Sequence, residues 1–120
     1  MSAELLFQYY STTANTDVAT GDLVFTAPGG GTSMVTGLWL CSSEQGNANE
    51  LRLNHCKALE TPGYSNMLIR HQASYRQKLN ELYRDVKIVM QPGDKLYCAL
   101  HAGEAITVTA YGIIPTESSL

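Results

Sequence analysis

Charged residues are scarce in this chain. Only 16% of its 120 residues are Asp, Glu, Lys or Arg, whereas about a quarter is usual for a soluble domain. Apolar residues make up 44% of the sequence, so much of the surface of a domain of this size has to be uncharged. This composition favours a subunit that buries part of its exterior against neighbouring molecules.

The sequence also lacks the features of several functional classes. The eight basic residues are scattered and the formal net charge is −3, so the basic patch typical of nucleic-acid-binding and anionic-membrane-binding proteins is missing. The first residues have neither the basic start nor the long apolar core of a signal peptide, and no apolar run has membrane-spanning length. We therefore expect a protein that folds in a cytoplasm and binds neither nucleic acid nor membrane.

Residues that commonly bind metals or carry catalysis are few and poorly spaced. The three cysteines, Cys41, Cys56 and Cys98, include no C-x-x-C pair and fall in predicted strands, where a reduced thiol acts as a small buried apolar group. Metal binding is the alternative, but the three histidines show none of the usual spacings of a zinc site. We expect reduced structural thiols and neither a metal nor a cofactor.

A catalytic cysteine would need a histidine base close to a thiolate. Cys98 and His101 are near each other in sequence, but Cys98 is expected to be buried and a turn is expected between the two. No pair of carboxylates stands where two strands could form a cleft, and the Gly29–Gly31 run is not followed by the Lys-Ser/Thr of a phosphate-binding loop. The sequence therefore predicts a protein that is not an enzyme.

The clearest local signal is a tight turn over Gln91-Pro92-Gly93-Asp94. Pro92 fixes φ for the first corner, and Gly93 supplies the positive φ that a type II turn needs at the second. Asp94 can accept a hydrogen bond from the nearby backbone. These three residues are expected to serve the fold.

Apolar runs flank this turn. Val86–Met90 precedes it, Leu96–Leu100 follows it, and Ile106–Ile113 comes after a second turn that contains His101. In the last two runs alternate residues are apolar, which is typical of strands with one buried face. We expect the three runs to form an antiparallel meander.

Further strands are predicted upstream, at Leu5–Tyr10, Leu23–Ala27, Thr32–Ser42 and Glu50–Cys56. In the last of these, Leu51 and Leu53 are expected to face the core. Arg52 and Asn54 alternate with them and are expected to face solvent.

The segment from Tyr64 to Tyr83 is ambiguous. A helix would place on one face Leu68, Tyr75, Leu79, Leu82 and Val86. The same segment also fits a strand at Met67–His71, a polar loop and a second strand. Because every other element is a strand we prefer strands, but residues 72–85 stay open between helix and strand.

Strand signals recur every eight to twelve residues or so, with turn signals between them. About eight strands with this spacing predict an all-β fold, an antiparallel β-sandwich with a jelly-roll-like arrangement. We expect a single domain over residues 1–120. Residues 1–20 would form an N-terminal arm and first strand, and residues 115–120 a flexible tail.

Aromatic residues are the main surplus of the sequence. Trp39 lies within an apolar strand and is expected in the core, with an interface anchor as the alternative. Seven tyrosines cannot all be buried in so small a core, and tyrosine is well suited to contact surfaces. The candidate oligomer or partner interface comprises Leu5, Phe7, Tyr9, Tyr10, Trp39, Tyr75, Tyr83, Tyr97 and Tyr111.

The order of these segments resembles the small β-sandwich structural proteins of tailed bacteriophage virions. The resemblance covers about residues 20 to 114 and rests on five segments: Leu23–Gly30, the strand that ends in Cys41-Ser42-Ser43, Leu51–Leu53, Met90–Tyr97 and Ile106–Gly112.

The resemblance implies a non-enzymatic capsid decoration, or cement, protein. Such a subunit binds the assembled shell, commonly as a homotrimer, and stabilises it, so the implied partner is the major capsid protein or another virion protein. The protein would be made in the host bacterial cytoplasm and reside in the virion. Leu5–Tyr10, apolar on both faces except for Gln8, is our candidate for an arm that reaches a neighbouring subunit.

Three other functions remain open at this point. A tail or head–tail accessory subunit would use the same fold. A glycan-binding module for host recognition would combine the exposed tyrosines and Trp39 with Asn47, Asn49 and Asn54, because aromatic rings stack on sugars and amides bond to hydroxyls. A jelly-roll enzyme ranks third, since the metal ligands it would need are missing.

Overall fold

The computed structural model of the chain describes residues 4–42, 49–73, 81–83, 86–103 and 105–115. These residues form one short 3-10 helix, Tyr64–Asn66, and nine strands. The strands are β1 (Glu4–Ser11), β2 (Asp22–Thr26), β3 (Ser33–Ser42), β4 (Asn49–Cys56), β5 (Met67–Ala73), β6 (Glu81–Tyr83), β7 (Ile88–Met90), β8 (Lys95–Ala102) and β9 (Ile106–Ile113). The predicted all-β class is confirmed. No helix within the described ranges is long and apolar enough to cross a membrane.

The strands form two antiparallel sheets that enclose one hydrophobic core, as predicted for a β-sandwich. The first sheet has the order β1-β9-β3-β6, with β7 also paired to β3, and the second has the order β2-β8-β4-β5. Both sheets contribute apolar side chains to the core, which include Val35, Leu38, Leu40, Leu51, Leu53, Leu96, Leu100, Ile106 and Val108. Burial of each such side chain stabilises the fold by about 1.5 to 3 kcal/mol.

The predicted meander of three consecutive strands is wrong. β7 and β9 both pair with β3 in the first sheet, whereas β8 pairs with β2 and β4 in the second. The predicted alternation within β8 and β9 is nevertheless correct, since Leu96, Leu100 and Val108 are fully buried. A strand with one buried face shows the same alternation whichever sheet it joins, so the pattern predicts the buried face and not the partner.

The turn between β7 and β8 carries the chain from the first sheet to the second. Gly93 has a φ of +89°, the Asp94 N–H donates to the Gln91 carbonyl at 3.0 Å, and the Gln91 N–H donates to Asp94 Oδ2 at 3.1 Å. The turn is also bound to the residue after β2, because the Ala27 N–H donates to the Asp94 carbonyl at 2.8 Å and the Gly93 N–H to the Ala27 carbonyl at 3.0 Å. It therefore forms a fixed corner of the sandwich.

Strands occupy both ends of the segment that was ambiguous from sequence. β5 pairs with β4, and β6 pairs with β3 opposite Leu38 to Leu40. The preferred strand interpretation is confirmed for these two elements. Residues 74–80 and 84–85, and with them Tyr75 and Leu79, lie outside the described residues, as do residues 1–3 of the expected arm and 116–120 of the expected tail.

β3 changes its buried face midway along its length. Its register against β9 shifts between Val35 and Gly37, so Thr36 is the extra residue of a β-bulge. Val35 is buried before the bulge, and Leu38 and Leu40 are buried after it. Trp39 consequently lies on the outer face and is exposed. The prediction that Trp39 lies in the core is therefore wrong. It assumed an uninterrupted alternation along β3, which would place Trp39 on the same face as Val35.

A second bulge lies across β9 from the first. The register between β1 and β9 shifts between Leu5 and Phe7, so Leu6 is the extra residue there. Gly112 of β9 lies between the two bulges, and a Cβ atom on it would collide with the Met34 carbonyl oxygen and stand 2.6 Å from Leu6 Cδ1. Only glycine fits this position, because both neighbouring strands approach its backbone closely.

This close approach predicts that Gly112→Ala destabilises the protein. We expect a loss of about 2 to 4 kcal/mol in the free energy of unfolding, since one of the three strands at this point has to shift. Urea unfolding followed by Trp39 fluorescence measures the effect. Gly29→Ala is the matched control, because a Cβ atom at Gly29 meets nothing within 4 Å. Equal stabilities of the two variants would show that the strands do not pack as described.

Candidate interaction surface

Among the side chains that the structure describes, the outer face of the first sheet is uncharged. β3, β7 and β9 contain no charged residue, and β1 contains only Glu4, at its first position. Large side chains remain exposed on this face, namely Leu5 (54%), Tyr10 (63%), Trp39 (38%), Val89 (50%) and Tyr111 (39%). We call these five residues and the polar residues between them the uncharged face.

The register of the strands brings these side chains side by side. Leu5 lies opposite Tyr111, and the next pair of residues on this outer face is Gln8 and Thr109. Thr109 in turn lies opposite Trp39, and Gln8 Nε2 donates to Thr109 Oγ1 at 3.4 Å. Directly opposed residues on one face of a sheet are in contact distance, so the uncharged face is continuous from β1 to β3.

The outer face of the second sheet is organised differently, because two loops are bound to it. Arg52 points away from the core as predicted, but it is completely buried, so its expected exposure to solvent is wrong. Its Nη1 donates to the Asn15 carbonyl at 3.0 Å, and its Nη2 donates to the carbonyls of Asp17 at 2.9 Å and Thr20 at 2.8 Å. The guanidinium group therefore holds the loop between β1 and β2 against the sheet.

Two further contacts fix this loop. Arg52 Nη1 lies 2.6 Å from His101 Nδ1, and because a guanidinium group only donates, the histidine nitrogen accepts. The Asn15 N–H donates to the Leu100 carbonyl at 2.8 Å. His101 was expected in a turn, but it lies within β8 and is buried.

Asn54 has the same role at the other end of β4. It was expected to face solvent, yet it is buried. Its Nδ2 donates to the Gly63 carbonyl at 2.9 Å and to Asn66 Oδ1 at 2.8 Å. The segment between β4 and β5 is thereby bound to the second sheet. Leu59 and Tyr64 of this segment are exposed, but they stand in a loop with Lys57 and Glu60 instead of on an uncharged sheet.

Two clefts are lined by residues that the structure describes. The larger, of about 350 Å³, is lined by Tyr9, Asn15, Thr20, Asp22 and neighbouring residues. Its polar groups bind one another, since Tyr9 OH donates to Asp22 Oδ2 and Asn15 Nδ2 donates to Thr20 Oγ1, each at 2.8 Å. Burial, with the hydrogen bond to Asp22, raises the pKa of Tyr9 to about 12. These groups hold β1, β2 and their connecting loop together.

The smaller cleft, of about 270 Å³, lies beside His55, Lys57 and Glu60. His55 Nε2 donates to Asp94 Oδ2 at 2.9 Å. Burial raises the pKa of the Asp94 carboxyl, but the hydrogen bonds from His55 and from the Gln91 N–H outweigh it and hold that pKa below its usual value. Asp94 therefore joins the corner turn to β4.

Among the described residues, the candidate catalytic and metal-binding residues of the sequence do not lie together. Cys98 faces the core, where burial raises the pKa of its thiol, while His101 faces Arg52 on the other side of the sheet. Cys56 and Cys98 are buried and reduced as predicted, and the side chain of Cys41 lies outside the described residues. Among the described side chains, no group of His, Cys, Asp or Glu could hold a metal ion.

The predicted interface residues fall into three groups. Leu5, Tyr10, Trp39 and Tyr111 lie together on the uncharged face. Phe7 and Tyr9 pack in the core, and Tyr97 is half-buried on the second sheet opposite Asn54. Tyr75 and the side chain of Tyr83 lie outside the described residues. Val89 was not among the predicted residues, although its place between the apolar residues Ile88 and Met90 of a short strand is a signal for an outward position.

The described residues of the predicted glycan-binding site do not lie on one surface. Trp39 lies on the first sheet, whereas Asn54 is buried on the second and bound to Gly63 and Asn66. Asn49 is buried and its Oδ1 accepts from the Ala105 N–H at 3.2 Å. Asn47 lies outside the described residues. No stacking platform with converging amides is present among the residues that the structure describes.

No known protein family matches the sequence, and no curated protein does either.

The role of Arg52 is tested by Arg52→Met, which keeps the length of the side chain and removes its donors. We expect the free energy of unfolding to fall by about 2 to 4 kcal/mol, because at least three backbone carbonyls lose a charged donor. Hydrogen exchange at the Asn15 N–H should accelerate as the loop detaches. Lys57→Met, at an exposed position, is the control and should leave both quantities unchanged. Unchanged exchange at Asn15 in Arg52→Met would contradict the role of Arg52 as an anchor.

The low pKa of Asp94 predicts a pH-dependent effect of Asp94→Asn. Since the folded state lowers this pKa below its value of 3.8 in the unfolded chain, the carboxylate stabilises the fold above pH 3.8 or so, and this stability is lost as the pH falls through the folded pKa. At pH 7 we expect Asp94→Asn to cost about 1 to 2 kcal/mol. The difference from the wild type should shrink toward pH 2. Urea unfolding over this range measures it, and a difference independent of pH would refute the assignment.

Proposed function

We propose that this protein is a non-enzymatic structural subunit of a tailed-phage virion, a capsid decoration protein that binds the assembled shell through the uncharged face. The observation that supports the proposal is the contrast between the two outer faces of the sandwich. Much of the face of the second sheet is covered by loops that Arg52 and Asn54 hold in place, and its exposed apolar residues Leu23 and Leu68 lie on the two edge strands. The face of the first sheet exposes aromatic and aliphatic side chains on β1, β3, β7 and β9.

The chemistry of the uncharged face suits a protein partner. The buried centre of a protein interface is depleted in charged residues and enriched in Tyr and Trp, and Trp and Tyr are frequent among the residues that dominate binding energy. Tyr10, Trp39 and Tyr111 provide such groups. Thr107 and Thr109 between them can form hydrogen bonds at the contact. The proposed partner is the major capsid protein, and no cofactor or nucleic acid is needed.

The strand order also agrees with the virion resemblance. β6 and β7 pair with different parts of β3, opposite Leu38–Leu40 and Ser33–Val35 respectively. If they are counted as two pieces of one strand, each sheet has four strands and the connections alternate between sheets except at β4–β5. We infer a jelly-roll topology from this order, and viral capsid domains are among the proteins that use it.

Binding to shells tests the proposal. The purified protein should co-sediment with empty capsids assembled from the major capsid protein of the same genome, at a fixed stoichiometry. The proposal implies that the protein is made in the bacterial cytoplasm and resides in the virion. Thr109→Lys puts a charge in the middle of the uncharged face and should weaken binding by about tenfold or more, because a buried unpaired charge costs several times the thermal energy.

Leu59→Lys is the matched control for this experiment. Leu59 is almost fully exposed, but it lies in the loop over the second sheet, so the variant should bind shells like the wild type. A wild-type protein that ignores capsids would refute the decoration role. Equal loss of binding in both variants would refute the assignment of the uncharged face. The resemblance also implies a homotrimer, which the mass of the free protein tests separately from shell binding.

A further inference from the structure

β1 is an open edge of the first sheet. Among the described strands it is hydrogen-bonded to β9 on one side and stands at the end of the strand order. An edge strand presents a row of backbone N–H and C=O groups that can pair with a strand of another molecule.

The other edges of the sandwich carry the features that normally prevent such pairing. β2 has five residues, begins with Asp22 and contains a bulge. β6 and β7 have three residues each, and β5 contains a bulge at Leu68. Short length, bulges and charges are the usual protections of an edge strand.

β1 lacks these protections along most of its length. It has eight residues, and Glu4 at its first position is its only charged residue. Its bulge lies near the start, so Phe7 to Ser11 pair with β9 in continuous register. This part of the strand is regular, uncharged and free of proline.

We propose that two copies of this chain form a dimer by antiparallel pairing of their β1 strands. A strand that pairs with its own copy does so about a two-fold axis, and any charge near that axis would face itself. β1 has no charge near its middle, so it meets this condition. With the axis at Gln8, Phe7 lies opposite the partner's Tyr9, which adds an aromatic cross-strand pair on the core side.

The dimer joins the two first sheets into one continuous sheet and places the two uncharged faces side by side. The inference concerns the edge of the sheet and does not depend on the shell-binding role. It predicts a dimer in place of the trimer that the resemblance implies.

Light scattering and sedimentation equilibrium of the wild type and two variants test the proposal. The wild type should be a dimer. Gln8→Lys places like charges close to each other across the axis and should weaken dimerisation by about tenfold or more. Val89→Lys adds the same charge to the same face, at an exposed position of β7, which β3 and β9 separate from β1, and should leave the dimer intact. Gln8 is exposed, and circular dichroism checks that both variants fold.

Hydrogen exchange identifies the contact itself. The β1 amides that point away from β9 should be protected in the wild type and exchange rapidly in Gln8→Lys. A wild-type monomer or trimer would overturn the proposal, and so would a dimer that survives Gln8→Lys or one that Val89→Lys dissociates equally. Because shell binding is measured separately, a protein that dimerises through β1 but ignores shells would contradict only the proposed function.

Discussion

The hydrogen bonds of the Arg52 guanidinium group decide which side of this sandwich is open. A buried cation is costly unless it is well paired, and here three backbone carbonyls and His101 Nδ1 surround it. A lysine at this position could not reach several acceptors in one plane, whereas the forked geometry of arginine does so. Together with the hydrogen bond from the Asn15 N–H to the Leu100 carbonyl, this side chain makes the polar loop between β1 and β2 part of the fold. Much of the second sheet is thereby covered, with Leu23 and Leu68 exposed only on its edge strands, and the first sheet keeps the uncharged face.

The two bulges around Gly112 determine what that exposed surface contains. Without the bulge at Thr36, the alternation of β3 would bury Trp39 and place Leu38 and Leu40 outside. The bulge exchanges these positions and brings an indole ring beside Thr109. Bulges often redirect side chains near functional surfaces. The aromatic character of the uncharged face is therefore a consequence of backbone geometry as much as of composition.

The sequence predicts much of the fold, because each strand carries its own local signal. The strands from β1 to β4, the buried alternation of β8 and β9, and the reduced state of Cys56 and Cys98 were all predicted. The pairing partners of β7, β8 and β9 were not predicted. The alternation of apolar residues shows which face of a strand is buried, but it does not show which strand lies beside it. The burial of Arg52 and Asn54 was missed because loops cover them, and a loop's path over a sheet depends on contacts distant in sequence. The surplus of tyrosines correctly suggested exposed aromatics, but only the bulge explains why Trp39 is among them.

The pairing of β1 with β9 also has a kinetic consequence. Gln8 and Thr109 are in contact although 101 residues separate them, so β1 leaves the ribosome long before its partner strand has been made. Contacts between distant segments form slowly, and unpaired strand edges are prone to pair with other chains in the meantime. The β1 strand of one nascent chain thus has time to meet another copy before its own sheet is complete. If two copies pair through β1 as proposed, assembly and folding of this protein would compete, and the rate of synthesis would affect the balance between them.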